Sequence, residues 1–162
     1  MKDLLDKIGA YNIFNFLLPG VLFAVILESL TSYSITQENL AVGAFLYYFV
    51  GLVISRFGSV VVEPVLKKLY FVKFMPYADF VSASQNDPKI EILSQENNMY
   101  RTFTALFVLL LFAKTYELFA RNYPLLNEQG PIIAVIVLMI TFLFSYRKQT
   151  SYITDRIKVT KT

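Results

Sequence analysis

Residues Asn12–Leu30 read NIFNFLLPGVLFAVILESL. A Leu18-Pro19-Gly20 break interrupts the apolar run, and a carboxylate, Glu28, sits near its end. In water this stretch would be a buried helix broken in two. In lipid it would be a spanning helix with a bend and one expensive charge. The rest of the chain decides between the two.

The chain has 162 residues, of which 56% are hydrophobic and 17% charged, against about a quarter charged in an ordinary soluble domain. Mean hydropathy is +0.51. A chain this short cannot hide so much apolar surface and has little polar material to cover its outside, so lipid is the natural solvent. Three further apolar runs follow the first, here taken as Ile13–Leu30: Leu40–Val62, Thr102–Phe119 and Pro131–Tyr146. A helix needs about 20 residues to cross a hydrocarbon core of about 30 Å. The first two runs fit, and the last two fit if flanking Tyr, Asn and Lys side chains reach to the interface. None alternates as barrel strands do. The two lysines ahead of the first run mimic a signal peptide, but no small-x-small cleavage pattern follows, so the run reads as a retained span. The expected fold is an all-α, polytopic four-helix transmembrane bundle, one domain over residues 1–162.

Basic residues set its orientation. Lys2 and Lys7 precede the first run; Lys67, Lys68, Lys73, Lys89 and Arg101 lie between the second and third; Arg147, Lys148, Arg156, Lys158 and Lys161 follow the fourth. The 31–39 connection has no basic residue, and the 120–130 connection has only Arg121. The positive-inside rule places both termini in the cytoplasm, the inner membrane of a bacterium being the expected location. The 63–101 segment is then cytoplasmic. Apolar spacing from Val65 to Val72 carries the second helix past the membrane until Met75-Pro76, a short helix covers about 79–84, and Asp87-Pro88 opens a helix that leads into the third span. A helical hairpin between spans two and three is expected, because the segment keeps aromatic and branched residues that disordered linkers lack.

Several polar residues stand out against this background. Glu28 is either a carboxylate at headgroup level or the partner of Lys114 and Glu117, an i,i+3 pair at the same outer end. Arg56 lies in the inner half of the second span with Glu63 two turns on, and it either snorkels to the headgroups, pairs with Glu63, contacts an anionic lipid or forms a pore constriction in an oligomer. Asn12 and Asn15 at the inner start of the first span, with Asn97 and Arg101 just below the third, are either interfacial caps or an amide network linking the first helix to the hairpin. Pro19 kinks the first helix. Gly51, Ser55 and Ser59, four apart, form a small-residue stripe that packs internally or against another subunit. With the embedded Arg56, the stripe motivates a homo-oligomer.

There is no cysteine and no histidine. That excludes disulfides, thiol catalysis and thiolate or imidazole metal sites. No glycine-rich phosphate loop, HExxH or GxSxG pattern occurs. The basic residues lie where topology already explains them, so no nucleic-acid partner is expected. No catalytic, cofactor or metal residue is assigned.

The run FVKFMPYADFVSASQNDPKIEILSQENNMYRT resembles a segment of small bacterial four-span membrane proteins, some of which resemble membrane components of anti-phage defence systems. The resemblance implies architecture and a defence role, and no family residue maps onto this chain. The expected function is a non-enzymatic membrane sensor or effector that signals through its cytoplasmic hairpin to a protein partner. The alternatives are an oligomeric pore and an embedded enzyme acting on lipid headgroups.

Overall fold

The computed structural model describes residues 10–161, so Lys2 and Lys7 lie outside the described residues. Every regular element among the described residues is helical. The first rod is α1 (Ala10–Asn12), a π-turn π1 (Ile13–Leu17) and α2 (Leu18–Leu30); the second is α3 (Leu40–Phe57), π2 (Gly58–Val62) and α4 (Glu63–Lys68). The short α5 (Tyr77–Asn86) precedes α6 (Lys89–Asn122) and α7 (Pro124–Lys161). Four helices are long and apolar enough to cross a membrane: Ile13–Leu30, Leu40–Lys68, Lys89–Asn122 and Leu125–Thr160. The end of the bundle holding Lys68, Lys89 and the last part of α7 is termed proximal, and the opposite end distal.

Pro19 acts through a π-turn. Leu18 N–H donates to Ile13 O, one residue further back than in an α-helix, and Pro19 follows with no N–H to give. The second rod repeats the device: Glu63 N–H donates to Gly58 O, and Pro64 follows. Each rod therefore absorbs its proline in a widened turn near the proximal end.

The two rods cross at their glycines. A Cβ on Gly20 would overlap the Tyr47 carbonyl, and one on Gly51 would overlap the Phe16 carbonyl. The backbones touch there, and only glycine permits it. The small-residue stripe of the second span is thus used inside the chain. Leu27, Ile54, Phe57, Val62, Ala105, Leu106 and Leu110 form the core. Large apolar side chains remain outside it, among them Phe45 at 81% exposure and Leu111 at 67%. This inverts the usual soluble pattern.

Two connections and the C-terminal stretch differ from the boundaries read in the sequence. The second rod stops at Lys68 rather than running to Phe74. Tyr70 adopts φ 57°, with Tyr70 N–H donating to Lys67 O and Phe71 N–H to Leu66 O. This is a Schellman closure with a tyrosine in the place glycine usually holds. The distal 120–130 connection is a single non-helical residue, Tyr123. Pro124 pushes the residue before it out of the helical region while itself suiting a helix start. Pro131 then lies inside α7, and the Tyr116 hydroxyl donates to Leu126 O beside it at 2.5 Å. Finally, the basic stretch after the fourth run is a continuation of α7. At 1.5 Å per residue α7 is about 57 Å long, so its last part stands beyond any single span. There α5 lies against α7, with Tyr77 and Tyr152 stacked at 5.5 Å.

Candidate functional site

The polar side chains of the proximal end lie in two adjoining layers. In the first, Asn15 of π1, Ser55 of α3 and Thr102 of α6 meet with exposures of 2%, 4% and 0%. Asn15 Nδ2 donates to Ser55 Oγ at 3.3 Å. Thr102 Oγ1 lies 2.9 Å from Asn15 Oδ1, 3.2 Å from Ser55 Oγ and 2.9 Å from its own helix's Asn98 O. Asn15 is carried on the π-turn, and its side-chain bonds go to Ser55 and Thr102. Removing one member strands another, which costs about 1–3 kcal/mol. Thr102→Val should lower the melting temperature in detergent accordingly, whereas Thr104→Val, whose hydroxyl meets only Tyr100 O on an exposed face, should leave it unchanged. Equal melting of the two variants would remove the layer's structural role.

The second layer centres on Glu63, 5% exposed. Its Oε1 accepts from Lys67 at 2.9 Å and from Lys148 at 3.1 Å, and its Oε2 accepts from Arg101 at 2.6 Å. One carboxylate thus faces three cations from α4, α6 and α7. The placement of Lys148 has a backbone cause. The Glu63 N–H goes to Gly58, and Pro64 has none, so Ser59 O is left without a backbone donor. Lys148 Nζ supplies the bond at 2.7 Å and also donates to Ser59 Oγ at 2.9 Å. The π-turn and its proline therefore build the seat for a lysine 89 residues away.

Arg56 is not part of this network. The Arg56–Glu63 pair, one of the readings the sequence allowed, is absent: seven residues separate the two by about 10 Å of helix rise, and π2 lies between them. Arg56 makes no ion pair among the described residues and lines the cleft beside Glu63. Asn97 lines the same cleft and is exposed, with Asn12 half-buried nearby in sequence to Asn15 but without a side-chain cap bond. The amide network therefore runs through Ser55 and Thr102 and leaves out Asn97.

At the distal end Glu117, 2% exposed, accepts from Lys114 at 2.8 Å, Arg121 at 3.0 Å and the Ser32 N–H at 2.9 Å. Lys114 also donates to Leu30 O at 2.7 Å, filling an orphan carbonyl at the end of α2. Glu28 is outside this cluster. It is exposed and accepts from Ser34 Oγ at 3.1 Å, because the chain turns after Leu30 and offers Ser32, not Glu28, to Glu117. Burial, with Tyr116 and Glu117 beside it, pushes the Tyr33 phenol above its ordinary value.

No protein-family model, curated protein or solved structure matches this chain. The site therefore rests on its own geometry. The sequence marks Ser59 only as part of the small-residue stripe and Lys67 and Lys148 only as topology-setting cations, and it gives Thr102 and Tyr152 no role, although α7 carries a readable signal. Thr141, Ser145, Lys148 and Tyr152 are spaced 4, 3 and 4 apart, and Thr141 and Ser145 are buried while Leu143 and Phe144 are exposed. In a lipid-solvated helix the polar stripe marks the inward face. Among the described residues no group of His, Cys, Asp or Glu could hold a metal ion.

Proposed function

We propose that the protein is a non-enzymatic, multi-pass sensor-transducer of the bacterial inner membrane, with its proximal end and both termini in the cytoplasm. The observation that carries this reading is the Glu63 hub. It ties the feet of the second, third and fourth long helices through one carboxylate, directly above the place where α5 stacks on α7. A change in packing at span depth would redistribute these bonds and move the cytoplasmic surface. The small-residue stripe is occupied internally, so a homo-oligomer would use other apolar faces, such as those carrying Phe45, Leu111 or Leu143.

Two measurements test the proposal. Single cysteines at Ser34 and Thr160, treated with an impermeant reagent in intact cells, should label at 34 and not at 160; the reverse result would invert the topology. Spin labels at Ser82 of α5 and Arg156 of α7 should give one narrow distance in the parent and a broadened one in Glu63→Gln. An unchanged distance distribution would detach the hub from the cytoplasmic surface. The resemblance in residues 71–102 adds anti-phage defence to the proposal, read as survival of infected cells carrying the parent or Lys148→Met at equal membrane levels.

A further inference from the structure

An open cleft of about 880 Å³ occupies the proximal end beside the Glu63 hub. Its charged lining is Arg56, Lys67, Lys73, Arg101 and Glu63. Four cations thus share the cleft with one carboxylate, both of whose oxygens are already engaged by Lys67, Arg101 and Lys148. Arg56 and Lys73 have no carboxylate partner among the described residues. Arg101 donates to Glu63 through Nη1 alone, and its Nε is buried without an acceptor. The acids nearest in sequence, Asp79, Asp87, Glu91 and Glu96, do not line the cleft.

Such an arrangement lacks its counter-charge. Arg56 is half-buried in a helix apolar enough to span a membrane, where a charge without an acidic partner is costly and ordinarily finds an anion. Guanidinium and ammonium groups converging on one hollow match the oxygens of a phosphate group: arginine by two parallel donors, lysine as a point charge. The volume lies within the range of small-molecule sites and exceeds what a single inorganic ion would fill. Asn97 adds a neutral amide on the wall.

We infer that this cleft binds a phosphate-bearing anion, held principally by Arg56 and Lys73 with Arg101 behind them. The phosphate belongs either to an anionic lipid headgroup entering from the bilayer or to a soluble ligand entering from the adjoining aqueous phase. The soluble case is independent of the membrane proposal above, and the lipid case rests on it. Failure of the topology measurement would therefore leave the soluble case standing.

Two titrations test the inference, with parent, Arg56→Gln, Lys73→Gln and Arg147→Gln. Lys73 is exposed, so its substitution leaves folding intact even if that of Arg56 does not. Arg147 is an exposed cation outside the cleft. In lipid-free neutral detergent the probe is inorganic pyrophosphate. In phosphatidylcholine discs the probe is phosphatidylglycerol. Saturable binding that weakens at least tenfold in Arg56→Gln and Lys73→Gln, but not in Arg147→Gln, is the expected pattern. Its appearance with pyrophosphate identifies a soluble ligand; its appearance with phosphatidylglycerol alone identifies the headgroup. Absence of saturable binding to both probes overturns the inference. So does an equal loss in Arg147→Gln, which would reduce the effect to overall charge.

Discussion

Gly51→Leu should abolish accumulation of folded protein. The Cβ alone would overlap the carbonyl oxygen, carbonyl carbon and Cα of Phe16. All three are backbone atoms in the first rod, so no side chain can move aside. Overpacking a well-filled site ordinarily costs about 1–3 kcal/mol, and here relief requires separating the rods. Separation would also pull Asn15 away from Ser55 and Thr102, because that layer lies next to the crossing. The expected loss is therefore above about 3 kcal/mol, beyond the usual overpacking range. Gly20→Leu should behave alike, since its obstacle is the Tyr47 carbonyl. Gly43→Ala is the control: its new methyl meets the Tyr47 ring edge at 3.2 Å, and a ring can give by a few tenths of an ångström. Thermal unfolding in mild detergent, followed by helical circular dichroism, reads all three. A parental melting temperature in Gly51→Leu would mean that the two backbones do not touch.

Glu63→Gln should be the most damaging change of charge. It leaves Lys67, Arg101 and Lys148 around a neutral amide. Removing one partner of a buried ion pair costs about 3–5 kcal/mol. The Lys67 side chain is 43% exposed and recovers hydration, whereas Arg101 at 19% and Lys148 at 25% recover little. The net loss should therefore be about 2–3 kcal/mol, below that range because one of the three cations is half in solvent. Lys148→Met should also destabilise, because it strips Ser59 O of its donor as well as Glu63 of a cation. The double variant should cost less than the sum of the two, with a coupling of about 1–2 kcal/mol, as expected for groups sharing one network. Strict additivity in the melting data would show that Glu63 and Lys148 act independently.

The composition and four apolar runs of the sequence were enough to read four long helices, since a chain this rich in Phe, Leu, Ile and Val leaves no other surface to build. They also located the polar residues worth attention: Asn15, Arg56, Lys114 and Glu117 stand out because charge and amide groups are rare within such runs, and Glu63 and Arg101 because they sit at the run ends. Helix ends were less legible. The closure at Tyr70 rests on a left-handed tyrosine that no propensity favours, and Gly130-Pro131 resembles a loop until Tyr116 is seen bonded to Leu126 O. Partner assignment was decided by tertiary structure alone. Arg56 and Glu63 look paired along one helix face, but a π-turn alters the phase between them, and a π-turn is a one-residue irregularity with no composition of its own. That same turn, followed by Pro64, orphans the Ser59 carbonyl and so determines where Lys148 sits. The stripe at Gly51 and Ser55 could have met any helix. Only the packing shows that it meets the first rod, because close approach depends on the shape of both surfaces and a sequence displays one helix at a time.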